Sequence, residues 1–275
     1  MALVLQALVI GVLQGLTEFL PISSSGHLLV VPYLLGWNDP LLASLPFSVM
    51  LHLGTLGALL VYFWRDWLRL VPAGFATVRD RSFRGDPDRR VAWLIVAATI
   101  PAAIAGFLLN DLIEREIRQP GVVALTMVIG AVVLWLADRW GARTRRMADL
   151  SMTDGVAIGV AQAVALVPGI SRSGISISAG LFLGLTREAA ARFSFLMAAP
   201  IIAGAGVFEL RRLVAGDEHV DMPLVPILVG TAAAFVAGMA AVHFLLRYLR
   251  SHRYTIFVAY RLVAAAVVVI ALLAR

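Results

Sequence analysis

Six stretches of this chain, at roughly 44–64, 90–109, 120–138, 190–210, 223–246 and 254–274, are each apolar for about 20 residues. A helix of that length crosses the hydrocarbon core of a bilayer, where its own hydrogen bonds satisfy every backbone N–H and C=O. The pattern predicts an all-α polytopic membrane protein, a single integral membrane domain over 1–275. Composition agrees: the chain is 60% hydrophobic and 15% charged, with mean hydropathy +0.89, where a soluble domain carries roughly a quarter charged residues. The formal net charge of +6 comes from Arg alone, since the chain has no Lys. It shows no basic stripe with interleaved aromatics, which argues against nucleic acid as partner. With no Cys, disulfides, thiol chemistry and Cys-based metal sites are excluded. The opening "MALVLQALVIGVLQG" lacks the basic n-region of a cleaved signal peptide.

A shift of 148 residues lays "IGVLQGLTEFLPISSSG" (10–26) over "IGVAQAVALVPGISRSG" (158–174) without a gap. Eight of 17 positions are identical: Ile10/Ile158, Gly11/Gly159, Val12/Val160, Gln14/Gln162, Ile22/Ile170, Ser23/Ser171, Ser25/Ser173 and Gly26/Gly174. Phe47-Ser48 matches Phe193-Ser194 after a two-residue slip. The chain reads as an internal duplication, with repeat one at about 1–140 and repeat two at about 150–275. Each repeat has about five helices. A short helix (roughly 2–19 or 154–167) meets a Pro/Gly/Ser break and is followed by a second short helix (26–36 or 174–185) and three full spans. The breaks are Leu20-Pro21-Ile22-Ser23 and Pro168-Gly169-Ile170-Ser171. Freed backbone is tolerated at membrane depth only beside protein or water. Each pair of short helices is therefore expected to form a re-entrant hairpin, leaving about six full spans. Three crossings per repeat is an odd number, so the second repeat is inverted relative to the first.

Loop charge tests that topology. One face receives the loops at 65–90, 139–153, 186–192 and 247–253, which carry 16 of the 23 Arg. The other has Arg115, Arg118, Arg211, Arg212 and Arg275, together with Asp111, Glu114, Glu116, Asp217, Glu218 and Asp221. The positive-inside rule places the Arg-rich face in the cytoplasm and both termini outside.

The two breaks share a scaffold and differ in chemistry. Glu18, Ser24 and His27 of the first stand where the second has Leu166, Arg172 and Ile175. Ionisable groups in lipid are costly, so hairpins meeting at the centre are expected to bring Glu18, Ser24 and His27 toward Arg172 around a shared cavity. Arg offers a planar fork matched to phosphate oxygens, and the amides of "PGISRSG" suit an anion nest. Ser24 is a candidate nucleophile with His27 as base or acid. Glu18 is placed to orient His27, take a proton or hold a divalent cation. These parts suit phosphoryl transfer on a phosphate-bearing lipid.

"QGLTEFLPISSSGHL" (14–28) and "PGISRSGISI" (168–177) resemble the two signature motifs of the undecaprenyl-pyrophosphate phosphatase family, also called the bacitracin-resistance family. "LHLGTLGALLVYFWRD" (51–66) and "TREAAARFSFLMAAP" (186–200) are similar to that family too, so the likeness spans both halves. The resemblance implies an integral enzyme of the bacterial inner membrane that removes the terminal phosphate of a C55 polyprenyl pyrophosphate. That reaction regenerates the carrier lipid for peptidoglycan and other envelope polymers and confers bacitracin resistance. It also implies an inverted repeat with two re-entrant hairpins and an active site open to the extracytoplasmic side. Carried over by position, the family's functional residues are Glu18, Ser24, His27, Ser171, Arg172, Ser173 and Ser176. Glu18, Ser24, His27 and Arg172 are the candidate catalytic residues, with either Ser24 or His27 as the nucleophile. Ser23, Ser25, Ser171, Arg172, Ser173, Gly174 and Ser176 are the candidate phosphate-binding set, with Gln14 and Gln162 in support. Many members have Glu where this chain has Gln14, which puts direct protein ligation of Mg²⁺ or Ca²⁺ in doubt. Glu18 is then the one candidate ligand, the ion entering mainly on the pyrophosphate. The expected partners are the polyprenyl pyrophosphate and membrane lipids, and a homodimer is compatible with the pattern.

Outside the motifs, His52 reads first as a packed intramembrane His and second as a residue lining the site, and Gln162 as a tie between the hairpins. Arg261 reads as an Arg that snorkels or pairs near a helix end, and 79–90 as a cytoplasmic loop that meets anionic lipid. A transporter or flippase of polyprenyl-phosphate lipid is the runner-up reading, since broken helices in inverted repeats are typical of transporters. The unlike charges of the two breaks favour a fixed reaction centre over a symmetric carrier. A phosphatidate-phosphatase-type enzyme is rejected, because it requires a His where this chain has Ser178 and a Lys that this chain lacks.

Overall fold

The computed structural model describes residues 1–83, 86–113, 117, 119–214 and 223–274. Those residues form helices and connections only. In chain order the helices are α1 (Ala2–Phe19), α2 (Ser24–Leu35), α3 (Pro40–Ala43), α4 (Leu45–Tyr62), α5 (Trp64–Asp80) and α6 (Pro87–Leu112). The remainder are α7 (Pro120–Trp140), α8 (Met152–Ala163), α9 (Arg172–Phe182), α10 (Arg187–Val214), α11 (Leu224–Tyr248) and α12 (Thr255–Leu273). Seven of the described helices are long and apolar enough to cross a membrane: α1, α4, α6, α7, α10, α11 and α12. Six of these cover the six apolar stretches of the sequence, and the seventh, α1, is the segment that precedes the first break.

The chain pairs its helices across the two halves. α1 and α4 both pack on α11, α8 packs on α6, α4 on α10, and α7 on α12, while α9 lies against α7 and α10. Glycine sets the closest of these approaches. A Cβ on Gly11 would run into the Gly230 carbonyl, and one on Gly15 would lie 2.5 Å from Ala234 O, so α1 can ride this near to α11 only with hydrogen at both positions. Gly159 does the same for α8 against the Ala98 carbonyl of α6. The similar segments 10–26 and 158–174 thus use the aligned glycines Gly11 and Gly159 to seat the helix before each break on a long helix of the other half.

The main apolar core collects Phe19, Leu59, Phe63, Leu94, Leu134, Ile177, Leu181, Phe193 and Phe195, with side chains from both halves. Its aromatic centre is the edge-on pair Phe19–Phe195, centroids 5.5 Å apart. Helix starts are set by short polar caps. Ser44 accepts from Phe47 N for α4, and Ser151 with Asp154 forms a reciprocal capping box for α8.

One expectation changes here. The stretch read as the start of a loop at 65 is α5, a 17-residue helix. Trp64, Leu68, Val71, Phe75 and Val78 form an exposed apolar strip along it, while Asp66, Leu70 and Ala73 face inward. Such a helix is amphipathic and too charged to span, so its stretch contains no 20-residue apolar run. Ion pairs clamp the Arg-rich ends of the bundle: Asp66 takes Arg69 and Arg192, Asp138 takes Arg187, and Asp154 takes Arg145. Arg84, Glu114, Arg115, Glu116, Arg118, Asp217, Glu218, Asp221 and Arg275, and the side chains of Asp111 and Arg212, lie outside the described residues.

Candidate active site

The two breaks adopt one backbone conformation. Ser23 has φ 77°, ψ 99° and Ser171 has φ 75°, ψ 113°, a region that costs a non-glycine residue about 1–3 kcal/mol. Each serine then serves as N-cap of the helix it opens. Ser23 Oγ accepts from Gly26 N at 3.4 Å and Ser171 Oγ from Gly174 N at 3.1 Å. Their carbonyls accept from His27 N and Ile175 N. At the start of α2 the N–H groups of Ser24 and Ser25 have no intrahelical acceptor, and they carry the positive end of the helix dipole. The first N–H groups of α9 stand likewise.

Arg261 of α12 holds the two breaks together. It is fully buried, and no carboxylate pairs with it among the described residues. It donates to main-chain oxygens alone. Nη2 reaches Gly169 O and Ile170 O at 2.9 Å each and Thr126 O at 3.4 Å, Nη1 reaches Pro21 O at 3.3 Å, and Nε reaches Met127 O at 3.1 Å. Pro21 belongs to the first break, Gly169 and Ile170 to the second. Thr126 adds a hydrogen bond from Oγ1 to Pro168 O at 2.5 Å. Gly169, at φ 93°, sits where a Cβ would strike that hydroxyl.

With the breaks fixed, their unlike side chains converge. Arg172 Nη2 lies 2.8 Å from Glu18 Oε1, and Ser24 Oγ donates to Glu18 Oε2 at 2.7 Å. Gln14 Nε2 donates to the same Oε2 at 3.2 Å, leaving its own Oε1 buried and without a partner. His52 Nε2 stands 3.8 Å from Glu18 Oε2, and its Nδ1 is hydrogen-bonded to Ser48 O. Ser173 Oγ, opposite, donates across to Leu20 O at 3.1 Å. The expected meeting of Glu18, Ser24 and Arg172 is present, built from α1, α2 and α9.

His27 takes a different place from the one the sequence suggested. Its Nδ1 lies 2.6 Å from Ser23 O and its Nε2 lies 2.7 Å from the Tyr260 hydroxyl, the two rings stacked 5.6 Å apart. A carbonyl only accepts, so Nδ1 carries the proton and Nε2 accepts from Tyr260. Ser24 turns to Glu18 instead of His27, because α2 directs the two side chains from the same turn to different neighbours. Of the proposed phosphate serines, Ser25 is exposed, whereas Ser23, Ser171, Ser173 and Ser176 are buried; the candidate nucleophile Ser24 is half-buried. Ser176 donates to Arg172 O at 2.7 Å and shares a 2.7 Å hydrogen bond with Ser194, so it braces α9 against α10. Gly174 is buried beneath its cap.

Three further readings are corrected. His52 belongs to the polar cluster, its side chain one-third exposed beside Glu18. Gln162 ties nothing: it is buried and both of its amide atoms lack partners. Arg261 neither snorkels nor pairs with an acid. Sequence reasoning missed Tyr260 altogether. Its one signal was a Tyr-Arg step inside the apolar run of 254–274.

Glu18, Ser24 Oγ and the unpartnered Oε1 of Gln14 are hard oxygen donors on three side chains that meet at Glu18 Oε2. They fit a divalent cation that draws its remaining ligands from a pyrophosphate. Among the described residues no three His, Asp or Glu side chains gather as a metal site of their own.

Comparison with known proteins places the chain in a family. Residues 7–267 match the profile of the family described as Bacitracin resistance protein BacA. The chain is 45% identical over 269 residues to the undecaprenyl-diphosphatase of Desulforudis audaxviator, covering 98% of each chain. It is 46% identical over 270 residues to that of Gemmatimonas aurantiaca, again covering 98% of each. It is 44% identical over 266 residues to that of Moorella thermoacetica, covering 97% of each. With nearly its whole length matched and both polar breaks inside the match, the chain belongs to the BacA family of bacitracin-resistance proteins.

Proposed function

We propose that this protein is an undecaprenyl-diphosphatase, a membrane hydrolase that converts undecaprenyl pyrophosphate to undecaprenyl phosphate and inorganic phosphate. The product is the lipid carrier for peptidoglycan and other cell-wall polymers, and its regeneration supports bacitracin resistance. The observation that carries the reading is the Ser24–Glu18–Arg172 chain, in which a hydroxyl donates to a carboxylate that also holds an arginine from the opposite break.

Arg172 and the free amides at the start of α2 bind the pyrophosphate oxygens. As Arg172 turns to the phosphate, Glu18 loses its cationic partner and can accept the Ser24 proton. Ser24 Oγ bonds to the terminal phosphorus while that phosphorus parts from the bridging oxygen, which leaves on undecaprenyl phosphate. Glu18 passes that proton to solvent, then takes one from the water that attacks the phosphoserine and returns it to Ser24 Oγ as the P–Oγ bond breaks, which releases inorganic phosphate. His27, held between Ser23 O and Tyr260, fixes the turn that presents Ser24. His52 adds a second nitrogen beside Glu18. A divalent cation, Mg²⁺ or Ca²⁺, held by Glu18 and Gln14 Oε1, would neutralise charge on the bridging oxygen.

For the setting we infer the bacterial inner membrane, an inverted repeat with re-entrant hairpins α1–α2 and α8–α9, and a site open to the extracytoplasmic side. Three observations support this: the duplicated break conformation, the swapped packing of α1 on α11 and α8 on α6, and the concentration of Arg on one face. That face is then cytoplasmic and both termini lie outside. The unlike breaks, carboxylate in one and Arg in the other, support hydrolysis rather than lipid flipping.

The test is phosphate release from undecaprenyl pyrophosphate by the purified protein, alongside Ser24→Ala, Glu18→Gln, His27→Ala and Arg172→Ala, each with Mg²⁺ and with chelator. Wild-type release, lost by at least ~100-fold in the Ser24, Glu18 and Arg172 variants while they stay folded, is expected. Absence of release from folded wild type would sink the enzyme reading. Retained activity in Ser24→Ala would remove the serine nucleophile.

A further inference from the structure

An apolar cavity of about 480 Å³ opens between α4, α5, α6 and α10. It is distinct from the polar cluster at the breaks, and α4 contributes side chains to both. His52, Leu56 and Leu60 follow one another on a single ridge of that helix, each about 6 Å beyond the last. His52 borders Glu18, and Leu56 and Leu60 line the cavity. Opposite them stand Trp67, Trp93 and Ala203. The lining side chains carry no charge and no acceptor; their polar atoms are the indole N–H of Trp67, which has no partner, and that of Trp93, which donates to Gly74 O at 3.4 Å, so the groove has no set of groups with which to read a headgroup. Its rim, at Leu60, Phe75 and Val78, is exposed on the outside of the bundle, which gives lateral access from lipid.

We propose that this groove holds part of the polyprenyl chain of the substrate while the pyrophosphate is bound at Glu18 and Arg172. The inference rests on the proposed reaction. A long, uniformly apolar chain anchored by its phosphate end needs a path away from the polar cluster, and the α4 ridge leads from that cluster into the groove. The volume is that of an ordinary ligand site and takes a few isoprene units, the remainder of the chain lying in the bilayer. The groove therefore distinguishes long-chain from short-chain pyrophosphates at a place that never touches the reacting phosphorus.

Two substitutions fill the groove without touching the polar cluster. At Gly74 an added Cβ meets only Ala92 Cβ, at 3.5 Å, so Gly74→Phe can enter the space without displacing backbone. Ala203→Phe fills it from α10. Wild type and both variants would be assayed on undecaprenyl pyrophosphate and on geranyl pyrophosphate, whose two isoprene units are too short to occupy the groove. Each variant is expected to raise KM for the C55 substrate about tenfold, leaving kcat/KM for geranyl pyrophosphate within about twofold. Equal losses on both substrates, or no loss on either, would overturn the proposal. No loss on either would assign the groove to bilayer acyl chains. Failure of wild type to hydrolyse either substrate would instead overturn the reaction on which the proposal rests, so the two failures are distinguishable.

Discussion

Replacing Arg261 by Met tests the idea that one buried cation holds the site together. Of its five acceptors, Thr126 O and Met127 O lie inside α7 and keep their helical partners, whereas Pro21 O, Gly169 O and Ile170 O belong to the breaks. Stranding a buried carbonyl costs about 1–3 kcal/mol. Three such losses, less the relief of no longer burying a cation, put the change at about 3–5 kcal/mol, the range seen when a buried charged interaction loses one partner. For a chain of this size that lowers the melting temperature by about 6–20 °C. Activity should fall further than folding, by at least ~100-fold at a temperature where the variant stays folded, because Ser24 and Arg172 sit on separate breaks whose spacing Arg261 sets. Lys keeps the charge but has no planar fork, so Arg261→Lys should recover only part of both losses. The assays are thermal unfolding in detergent and phosphate release at matched folded fraction. A shift below ~2 °C with activity retained in Arg261→Met would refute the reasoning. So would full recovery by Lys, which would make charge, not geometry, the requirement.

Tyr260→Phe removes the hydroxyl that hydrogen-bonds His27 Nε2 and should lower kcat about 10–100-fold with little change in melting. The ¹⁵N shifts of the His27 ring report whether Nδ1 remains the protonated nitrogen, and unchanged shifts with unchanged kcat would dismiss Tyr260. At Ser171, Gly and Ala substitutions both lose the cap to Gly174 N, but only Gly relieves the positive φ. Ser171→Gly should therefore unfold at a higher temperature than Ser171→Ala by the equivalent of about 1 kcal/mol, and the reverse order would deny the strain. Gln162→Leu removes two buried polar atoms without partners, so its melting temperature should equal or exceed that of wild type. A loss of more than ~2 °C would mean that the amide has a partner.

The long apolar stretches were legible because each crossing must satisfy its own backbone, which leaves a mark of about 20 residues in any such chain. The polar breaks were legible because their Glu, Arg and serines stand out against that background and recur 148 residues apart. α5 escaped because its apolar strip winds between Arg65, Arg69 and Asp66, and average hydropathy cancels such a strip. Tyr260 and Arg261 escaped for another reason. Their partners lie 91 to 240 positions away for Arg261 and 233 away for Tyr260, and four of the five acceptors of Arg261 lie in segments outside the motif that holds Pro21. Moreover, those acceptors are all main-chain carbonyls, which every residue possesses. A side chain that bonds only to backbone leaves no complementary residue type elsewhere for a sequence to reveal.

The duplicated serines separate what the breaks are for from what each one does. Ser23 and Ser171 are one of the eight identical pairs, and both sit in the same strained conformation with the same cap three residues on. Two unrelated turns have no reason to store the same strain twice, so the shared geometry belongs to the scaffold: it starts a helix abruptly and points its first amides at one place. The neighbours of each serine carry the divergence. Position 24 is a hydroxyl that donates to Glu18, and its counterpart at 172 is the guanidinium that pairs with the same carboxylate. Two equivalent positions therefore hold opposite ends of one hydrogen-bonded chain. An exchange of Ser24 and Arg172 between the breaks would keep every charge and every cap, yet place the guanidinium beside Gln14 and His52 and the hydroxyl beside Ser194. The site depends on which break carries which group, as a fixed reaction centre requires.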